Sequence, residues 1–277
     1  MKHWLRGYIL MLKWQVLNGR TMLPFVVIIQ LIISVGTVAG LGLLFRGIDP
    51  VSVKYLTTGG ATLAFITLGM TFLPGAIAQT RERKAFDYIW SLPVPRMTYL
   101  AADLTIWFVA ILPGVVLALI VGSIRYGFEL EISPLVIPAV LIVALAASFI
   151  GNTIARLSPS IVVTSMIANV IILGSLLFSP VNYPADHLPE AVRVIHFVLP
   201  MGYMTDLIRG TVTTGLVENL GLAFAVVSAW AMGGFAVSYA VMTRRSKRRR
   251  REGIGSACSA IADGLQSSRY VAQTSQR

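Results

Sequence analysis

The chain has 277 residues, of which 56% are hydrophobic and 13% are charged, and its formal net charge is +11. Its mean hydropathy of +0.75 lies far above that of a soluble globular domain. This composition excludes an ordinary soluble domain and predicts an all-α membrane protein, because helices satisfy their own backbone hydrogen bonds in lipid.

The first predicted element is a basic amphipathic helix over residues 4–16. On a helical wheel its apolar residues share one arc and its basic residues lie opposite. The arc contains Trp4, Leu5, Tyr8, Ile9, Leu12 and Val16, and the basic side contains Lys2, Arg6 and Lys13. Such a helix lies in the interface of one leaflet. An irregular basic lead-in to the first span is the alternative.

Six long stretches without a charged side chain follow one another and predict six transmembrane helices. Each reaches the roughly 20 residues that a helix needs to cross a hydrocarbon core of about 30 Å. They are residues 24–45, 56–80, 104–124, 132–155, 157–185 and 219–243. We therefore predict a single six-span transmembrane domain over residues 1–243 and a basic, disordered cytoplasmic tail over residues 244–277.

The first span also carries small residues at the spacing of a close helix contact. Gly36 and Gly40 are four residues apart, which lets two helix backbones approach each other. Small residues are common in membrane helices, so a chance occurrence is the alternative.

The distribution of Lys and Arg predicts the orientation. With six spans both termini share one side, and that side holds 18 of the 23 basic residues. Because basic residues accumulate on the cytoplasmic side of a membrane, both termini are predicted to be cytoplasmic. The predicted location is the cell membrane, plasma or inner, and the basic tail is expected to meet anionic lipid rather than nucleic acid.

The loop between the second and third spans, residues 81–96, combines charges with an apolar stripe. Apolar residues recur three and four apart and prolines then follow, which predicts a short helix that ends at the prolines. The charged residues are Glu82, Arg83, Lys84 and Asp87, the apolar ones are Phe86, Ile89 and Trp90, and the prolines are Pro93 and Pro95. Such a helix can bury its apolar face in a partner's groove. A solvated or lipid-facing connector is the alternative.

The segment between the fifth and sixth spans, residues 178–210, is long and semi-apolar. Pro184, Pro189 and Pro200 divide it into two stretches of helical pattern, residues 190–198 and 202–209. Irregular backbone is tolerated at membrane depth only when it is buried in protein or lines a cavity. We therefore predict two short outer helices, with Asp206 and Arg209 paired on the second.

Several expectations concern chemistry that the chain lacks. No phosphate-binding loop of the Gly-x-x-x-x-Gly-Lys-Ser/Thr type occurs, so the chain is expected to bind no ATP. No catalytic residue and no metal site are predicted, and the single cysteine, Cys258, rules out an intrachain disulfide. Asp103, near the start of the third span, is predicted to cap that helix.

With these elements in place, the sequence resembles the permease subunits of type 2 ATP-binding-cassette exporters, the group that includes daunorubicin-type and other multidrug exporters. The resemblance covers nearly the whole chain. It is carried in the loop by Glu82, Arg83 and the run SLPVPR over residues 91–96. In the outer segment it is carried by Phe178, Tyr183, Pro184, Leu188, Pro189, Pro200, Tyr203 and Arg209.

The resemblance implies a partner arrangement and roles for individual residues. Two permease subunits, identical or related, would form the pathway, and two cytosolic ATPase subunits that bind ATP and Mg²⁺ would clasp the loop helix and the N-terminal helix. ATPase coupling would fall to Glu82, Arg83, Lys84, Phe86, Asp87, Trp90 and Arg96. The substrate pathway would use Gln30, Thr67, Met70, Thr71, Asn169, Leu173 and Phe178.

The spans also bear on the cargo. They contain no charged side chain, which argues against a proton or metal relay and suits a hydrophobic or amphiphilic cargo, drug-like or lipid-like. A polysaccharide exporter of the same family is the alternative, disfavoured by the aliphatic spans. A non-transporting assembly or sensor subunit is a second alternative. A gradient-driven secondary transporter is disfavoured because no inverted repeat is visible.

Overall fold

The computed structural model describes residues 2–44, 49–83, 95–178, 181 and 199–241. Within these ranges the regular structure is helical and contains no strand, which confirms the predicted all-α membrane fold. Residues 1–235 form one compact unit, and the chain from residue 236 forms a second, of which residues 236–241 are described.

The helices follow the predicted order. They are α1 (Lys2–Gly19), α2 (Met22–Leu44), α3 (Pro50–Thr67), α4 (Leu73–Glu82), α5 (Arg96–Tyr126), α6 (Val136–Leu157), α7 (Ile161–Phe178), α8 (Pro200–Val212) and α9 (Leu220–Val241). Among the described residues, five stretches are long and apolar enough to cross a membrane. They are α2, the combined run of α3 and α4, then α5, α6 and α9. The fifth predicted span contains α7, an apolar helix that is shorter over its described residues.

A π-helical turn, Leu68–Phe72, joins α3 to α4 inside the second span. Its widened geometry shows in the backbone N–H of Leu73, which donates to the carbonyl of Leu68, five residues earlier. The next residue is Pro74, which has no N–H and whose ring would clash with the carbonyl four residues before it in a regular helix. The extra residue of the π turn accommodates this proline without ending the span.

Capping residues set the other helix ends. Asp49 accepts a hydrogen bond from the N–H of Val51 at 3.3 Å, and Pro50 opens α3. Gly127, with φ of +67°, ends α5, because a glycine adopts the left-handed conformation without steric cost. Between α6 and α7, the Ser160 hydroxyl oxygen accepts the N–H of Val163 at 3.3 Å.

Glycines allow the closest helix crossings in the core. A Cβ on Gly69, in the π turn, would lie 2.5 Å from the Cβ of Ala147 on α6. A Cβ on Gly151, one turn further along α6, would collide with the carbonyl oxygen of Gly69. By contrast, a Cβ on Gly36 or Gly40 of α2 would meet no atom of the described chain within 4 Å. The predicted close contact of these two glycines is therefore not made within the described part of this chain.

The bundle has two ends that carry different polar clusters. At one, here named the Arg81 end, α4 and α6 finish and α5 and α7 begin. At the other, the Arg209 end, α8 packs against the start of α3. The loop before α6 is fixed there, because the N–H groups of Glu131 and Ser133 donate to the last carbonyls of α8 at 3.1 and 2.9 Å.

The structure tests two of the smaller predictions. The second outer helix is present as α8, which covers the predicted residues 202–209. The first outer helix, residues 190–198, and the tail, residues 244–277, lie outside the described residues. The predicted capping role of Asp103 is wrong, because Pro95 precedes α5 and the helix begins at Arg96. Asp103 lies in its second turn or later, beyond the reach of the N-terminal N–H groups.

Candidate functional site

At the Arg81 end, two consecutive side chains of α4 hold the turn between α6 and α7. Arg81 Nη1 donates to the carbonyl oxygens of Ala155 at 3.2 Å and Ser158 at 2.7 Å. Glu82 Oε1 accepts the backbone N–H of Ile161, the first residue of α7, at 3.0 Å. The cation thus meets a helix C-terminus and the anion a helix N-terminus, which is the favourable arrangement for both helix dipoles.

A second polar layer lies just inside this turn. Arg156, near the end of α6, is only 8% exposed and donates from Nε to Asn152 Oδ1 at 3.0 Å. Asp103 of α5 is also 8% exposed, accepts a hydrogen bond from Trp107 and lies in the field of the Arg156 charge. Buried polar groups are stable only where they have polar partners. The layer therefore places polar contacts between α5 and α6 at the Arg81 end.

Helix α1 docks onto the first turns of α5. The hydroxyl groups of Tyr8 and Thr105 are 2.8 Å apart and form a hydrogen bond. Next to them, Met11 and Tyr99 are buried and pack together. The Tyr8 ring also stacks on that of Trp4, with ring centroids 5.7 Å apart. Consequently α1 and the first turns of α5 form one connected structure at this end.

The predicted coupling residues divide into described and undescribed members. Glu82 and Arg83, at the end of α4, have exposed side chains, and Arg96 is the first residue of α5. Lys84, Phe86, Asp87 and Trp90 lie outside the described residues. The loop is therefore anchored at both ends in helices that contact α6, α7 and α1. The sequence did not reveal the contact of Arg81 and Glu82 with the α6–α7 turn, since that turn lies more than 70 residues away.

The predicted pathway residues do not share one surface. Gln30, Thr67 and Met70 are buried inside the single chain, with exposures of 0%, 3% and 0%. Thr71 is half-buried in the π turn. On α7, in contrast, Asn169 is exposed and Leu173 is 58% exposed, and Phe178 is the last residue of that helix. The structure thus separates an interior group on α2, α3 and the π turn from an outward-facing group on α7.

The interior group includes polar atoms without a protein partner. Both amide atoms of Gln30 and the hydroxyl of Ser34 are buried and have no hydrogen-bond partner among the described residues. They face Gly114 of α5, where a Cβ would lie 2.8 Å from Gln30 Cγ and 3.1 Å from Ser34 Oγ. Small size at this position lets two polar side chains fit between α2 and α5.

The Arg209 end contains a buried guanidinium that sequence reasoning only partly anticipated. Arg209 of α8 is 2% exposed and pairs with Asp206 at 3.2 Å, as predicted. Its Nε also donates to Thr58 Oγ1 at 3.2 Å and its Nη2 to the carbonyl of Val181 at 2.9 Å. Its Cζ lies 3.8 Å from the centroid of the Tyr55 ring, within cation–π distance.

These contacts compensate for the burial of the Arg209 charge. Burial lowers the pKa of its guanidinium, while Asp206 and then Tyr55 act in the opposite direction. Because an arginine stays protonated even when its pKa falls, the cation remains and needs these partners. Arg209 therefore ties α8 to α3 and to residue 181. The contacts with Thr58 and Tyr55 could not be read from sequence, because about 150 residues separate them from Arg209.

Comparison with known proteins adds family relationships to this geometry. The family described as ABC-2 type transporter matches residues 8–213, well over half of the chain. The chain is 24% identical over 217 residues to nodulation protein J of Rhizobium leguminosarum bv. viciae, covering 77% of this chain and 83% of that protein. It is likewise 24% identical over 219 residues to nodulation protein J of Rhizobium meliloti (strain 1021), covering 78% and 83%.

Proposed function

The chain belongs to the ABC-2 type transporter family, and we propose that it is the membrane permease of an exporter driven by a separate cytosolic ATPase. In this proposal the chain itself performs no catalysis and binds neither ATP nor Mg²⁺. The Arg81 end faces the cytoplasm of a plasma or inner membrane, together with both termini. Residues 1–243 act as one permease domain, and residues 244–277 form a cytoplasmic tail that meets anionic lipid.

The observation that carries the proposal is the contact between Arg81, Glu82 and the α6–α7 turn. The proposed coupling helix is joined by the chain to α4 and α5, so a displacement of this helix by the ATPase would move both of them. Glu82 and Arg81 would transmit the same displacement to the start of α7 and the end of α6 through hydrogen bonds of 2.7 to 3.2 Å. One displacement of the loop would therefore tilt four helices together.

Pairing with a second permease is part of the proposal. A Cβ on Gly36 or Gly40 of α2 would meet no atom of the described chain within 4 Å, and large apolar side chains one and two turns earlier on α2 are exposed. A second copy, or a related chain, would cover this face of α2 at close backbone distance. The outward-facing pair Asn169 and Leu173 on α7 would then contribute to the pathway between the subunits.

The proposed cargo is hydrophobic or amphiphilic, drug-like or lipid-like, because no charged side chain occupies a predicted span. A polysaccharide cargo has equal weight, since both relatives named above are nodulation proteins and the family includes polysaccharide permeases. A binding assay on the reconstituted permease separates the two: a lipid-like cargo should partition into vesicles with the protein, whereas a glycan should bind from water.

The decisive experiment is co-expression with a cytosolic ABC ATPase, chosen from the genes beside that of this chain, followed by co-purification and measurement of ATP turnover. We expect the wild type to form an active complex. Replacement of Glu82→Ala with Trp90→Ala should abolish pairing, because both residues belong to the proposed coupling loop. Glu218→Ala with Trp230→Ala removes the same residue types from other parts of the chain and should leave the complex intact.

Two results would contradict the proposal. If no ATPase co-purifies with the wild type, a non-transporting membrane subunit becomes the better interpretation. If the double variant in the loop pairs and hydrolyses ATP as well as the control variant, the loop is not the site of coupling.

A further inference from the structure

An apolar groove lies between α1, α2 and α5. Its volume is about 740 Å³, and its walls are almost entirely aliphatic. They include Leu12, Val16, Val27, Val109, Ala110 and Pro113. Val109 is 57% exposed, so the groove opens sideways from the bundle rather than into its core. Lys13, an exposed residue of α1, also lines it and supplies the positive charge among these walls.

A polar cavity of about 420 Å³ adjoins this groove, and the two share Leu23 and Ile106 in their walls. Polar and charged side chains line much of it, including Gln15, Asn18, Gln79, Thr80, Arg83 and Asp103. The amide nitrogen of Gln15 is buried and has no hydrogen-bond partner among the described residues. A buried donor without a partner costs free energy, so this atom indicates that a bound molecule supplies the acceptor.

We infer that the groove and the cavity together bind one glycerophospholipid from the leaflet at the Arg81 end. An acyl chain fits the aliphatic groove, which opens toward the hydrocarbon of the bilayer. The phosphate lies beside Lys13, because a lysine at the membrane interface attracts anionic headgroups. The glycerol and headgroup oxygens enter the polar cavity, where they accept a hydrogen bond from Gln15 and face the charge of Arg83.

The depth of the groove and the cavity in the membrane favours a bilayer lipid over other occupants. Helix α1 is amphipathic, which predicts a position at the membrane interface, and the Tyr8–Thr105 hydrogen bond docks it on α5. This position puts the cavity at headgroup depth and the groove below it. An amphiphile fits an apolar groove and a polar cavity that share a wall. The site belongs to the outer surface of one chain and does not depend on transport or on the ATPase, so it stands apart from the proposed function.

The test titrates the purified full chain in detergent with dioleoylphosphatidylglycerol and counts bound lipid by native mass spectrometry. Val109→Trp fills the groove and should weaken binding of the tightest lipid by about tenfold or more, because each displaced methylene contributes to affinity. Val116→Trp is the matched control: it lies two turns further along the same face of α5, is 50% exposed and does not line the groove. It should bind lipid as the wild type does.

The charge is tested separately. Lys13→Gln should weaken phosphatidylglycerol several-fold, whereas Arg6→Gln, on the same face of α1 but outside both walls, should not. Dioleoylglycerol, which has the same chains and no phosphate, should bind wild type and Lys13→Gln equally. If Val109→Trp does not fold, the comparison of Lys13→Gln with Arg6→Gln still tests the inference, because both residues are exposed. Equal affinity of either pair of variants for phosphatidylglycerol would overturn the inference.

Discussion

The carboxylate of Glu82 accepts the backbone N–H of Ile161 at 3.0 Å, so the end of the second span is bonded to the beginning of α7. The residue before it, Arg81, holds the end of α6 in the same way. The first two residues of the predicted partner-binding loop are therefore bonded to α6 and α7. This attachment gives the coupling proposal its physical route and its first prediction.

Removing the charge of Arg81, which holds the end of α6, should weaken the coupling between the ATPase and the permease more than the assembly of their complex. We expect Arg81→Gln to leave co-purification with the ATPase intact and to lower its ATP turnover several-fold, since the α6–α7 turn no longer follows the loop. Arg125→Gln, which removes an exposed arginine from the last turn of α5, is the control. Equal turnover of the two variants would refute the proposed route.

The buried Arg209 should depend on its threonine partner. Thr58→Val keeps the shape but removes the acceptor of Arg209 Nε, which should lower the free energy of unfolding by about 1–3 kcal/mol. Thr62→Val, one turn further along α3, loses only a bond to its own helix and should change little. Unfolding in mixed micelles, followed by circular dichroism, measures both. If Thr58→Val leaves the free energy of unfolding unchanged, water replaces the hydroxyl as the acceptor for Arg209.

The crossing between the π turn and α6 should not accept even a methyl group. Gly151→Ala places a Cβ against the carbonyl of Gly69, so we expect a large loss of monodisperse protein on size-exclusion chromatography. Gly174→Ala on α7 meets nothing within 4 Å and should be neutral or slightly stabilising, because alanine favours a helix by about 1 kcal/mol over glycine. Wild-type behaviour of Gly151→Ala would contradict the close crossing.

The open face of α2 should be needed for pairing of two permeases rather than for folding. Gly36→Leu should abolish crosslinking between copies while the melting temperature stays near that of the wild type, because a Cβ at this position meets no atom of the described residues within 4 Å. Gly233→Leu on α9 is equally unhindered and should leave crosslinking unchanged. If both variants crosslink alike, the subunit contact lies on another helix.

The orientation can be read with the natural cysteine. Cys258 is the single cysteine of the chain and lies in the basic tail, so a membrane-impermeant maleimide should label it in inverted vesicles and not in intact cells. In a Cys258→Ser background, Glu218→Cys on the opposite side should show the reverse pattern. Labelling of Cys258 in intact cells would place the Arg81 end outside and remove the ATPase from reach.

The sequence by itself determined the all-α membrane fold, the family and most of the helix positions. Long uncharged stretches, prolines and basic residues are local signals, and each acts through the bilayer or through the backbone nearby. For the same reason the Asp206–Arg209 pair, three residues apart on one helix, was found without a structure. Asp103 was misplaced because the true start of α5 depends on Pro95, which lies eight residues before it.

Only the tertiary structure decided which polar residues meet. Arg81 and Ser158, or Arg209 and Thr58, are far apart in the chain, and helical periodicity gives no distance between two helices. It also decided that Gln30 and Met70 face the interior while Leu173 faces outward, because in a membrane both faces of a helix are apolar. Hydrophobicity therefore locates the spans, whereas packing and paired polar groups determine how they are arranged.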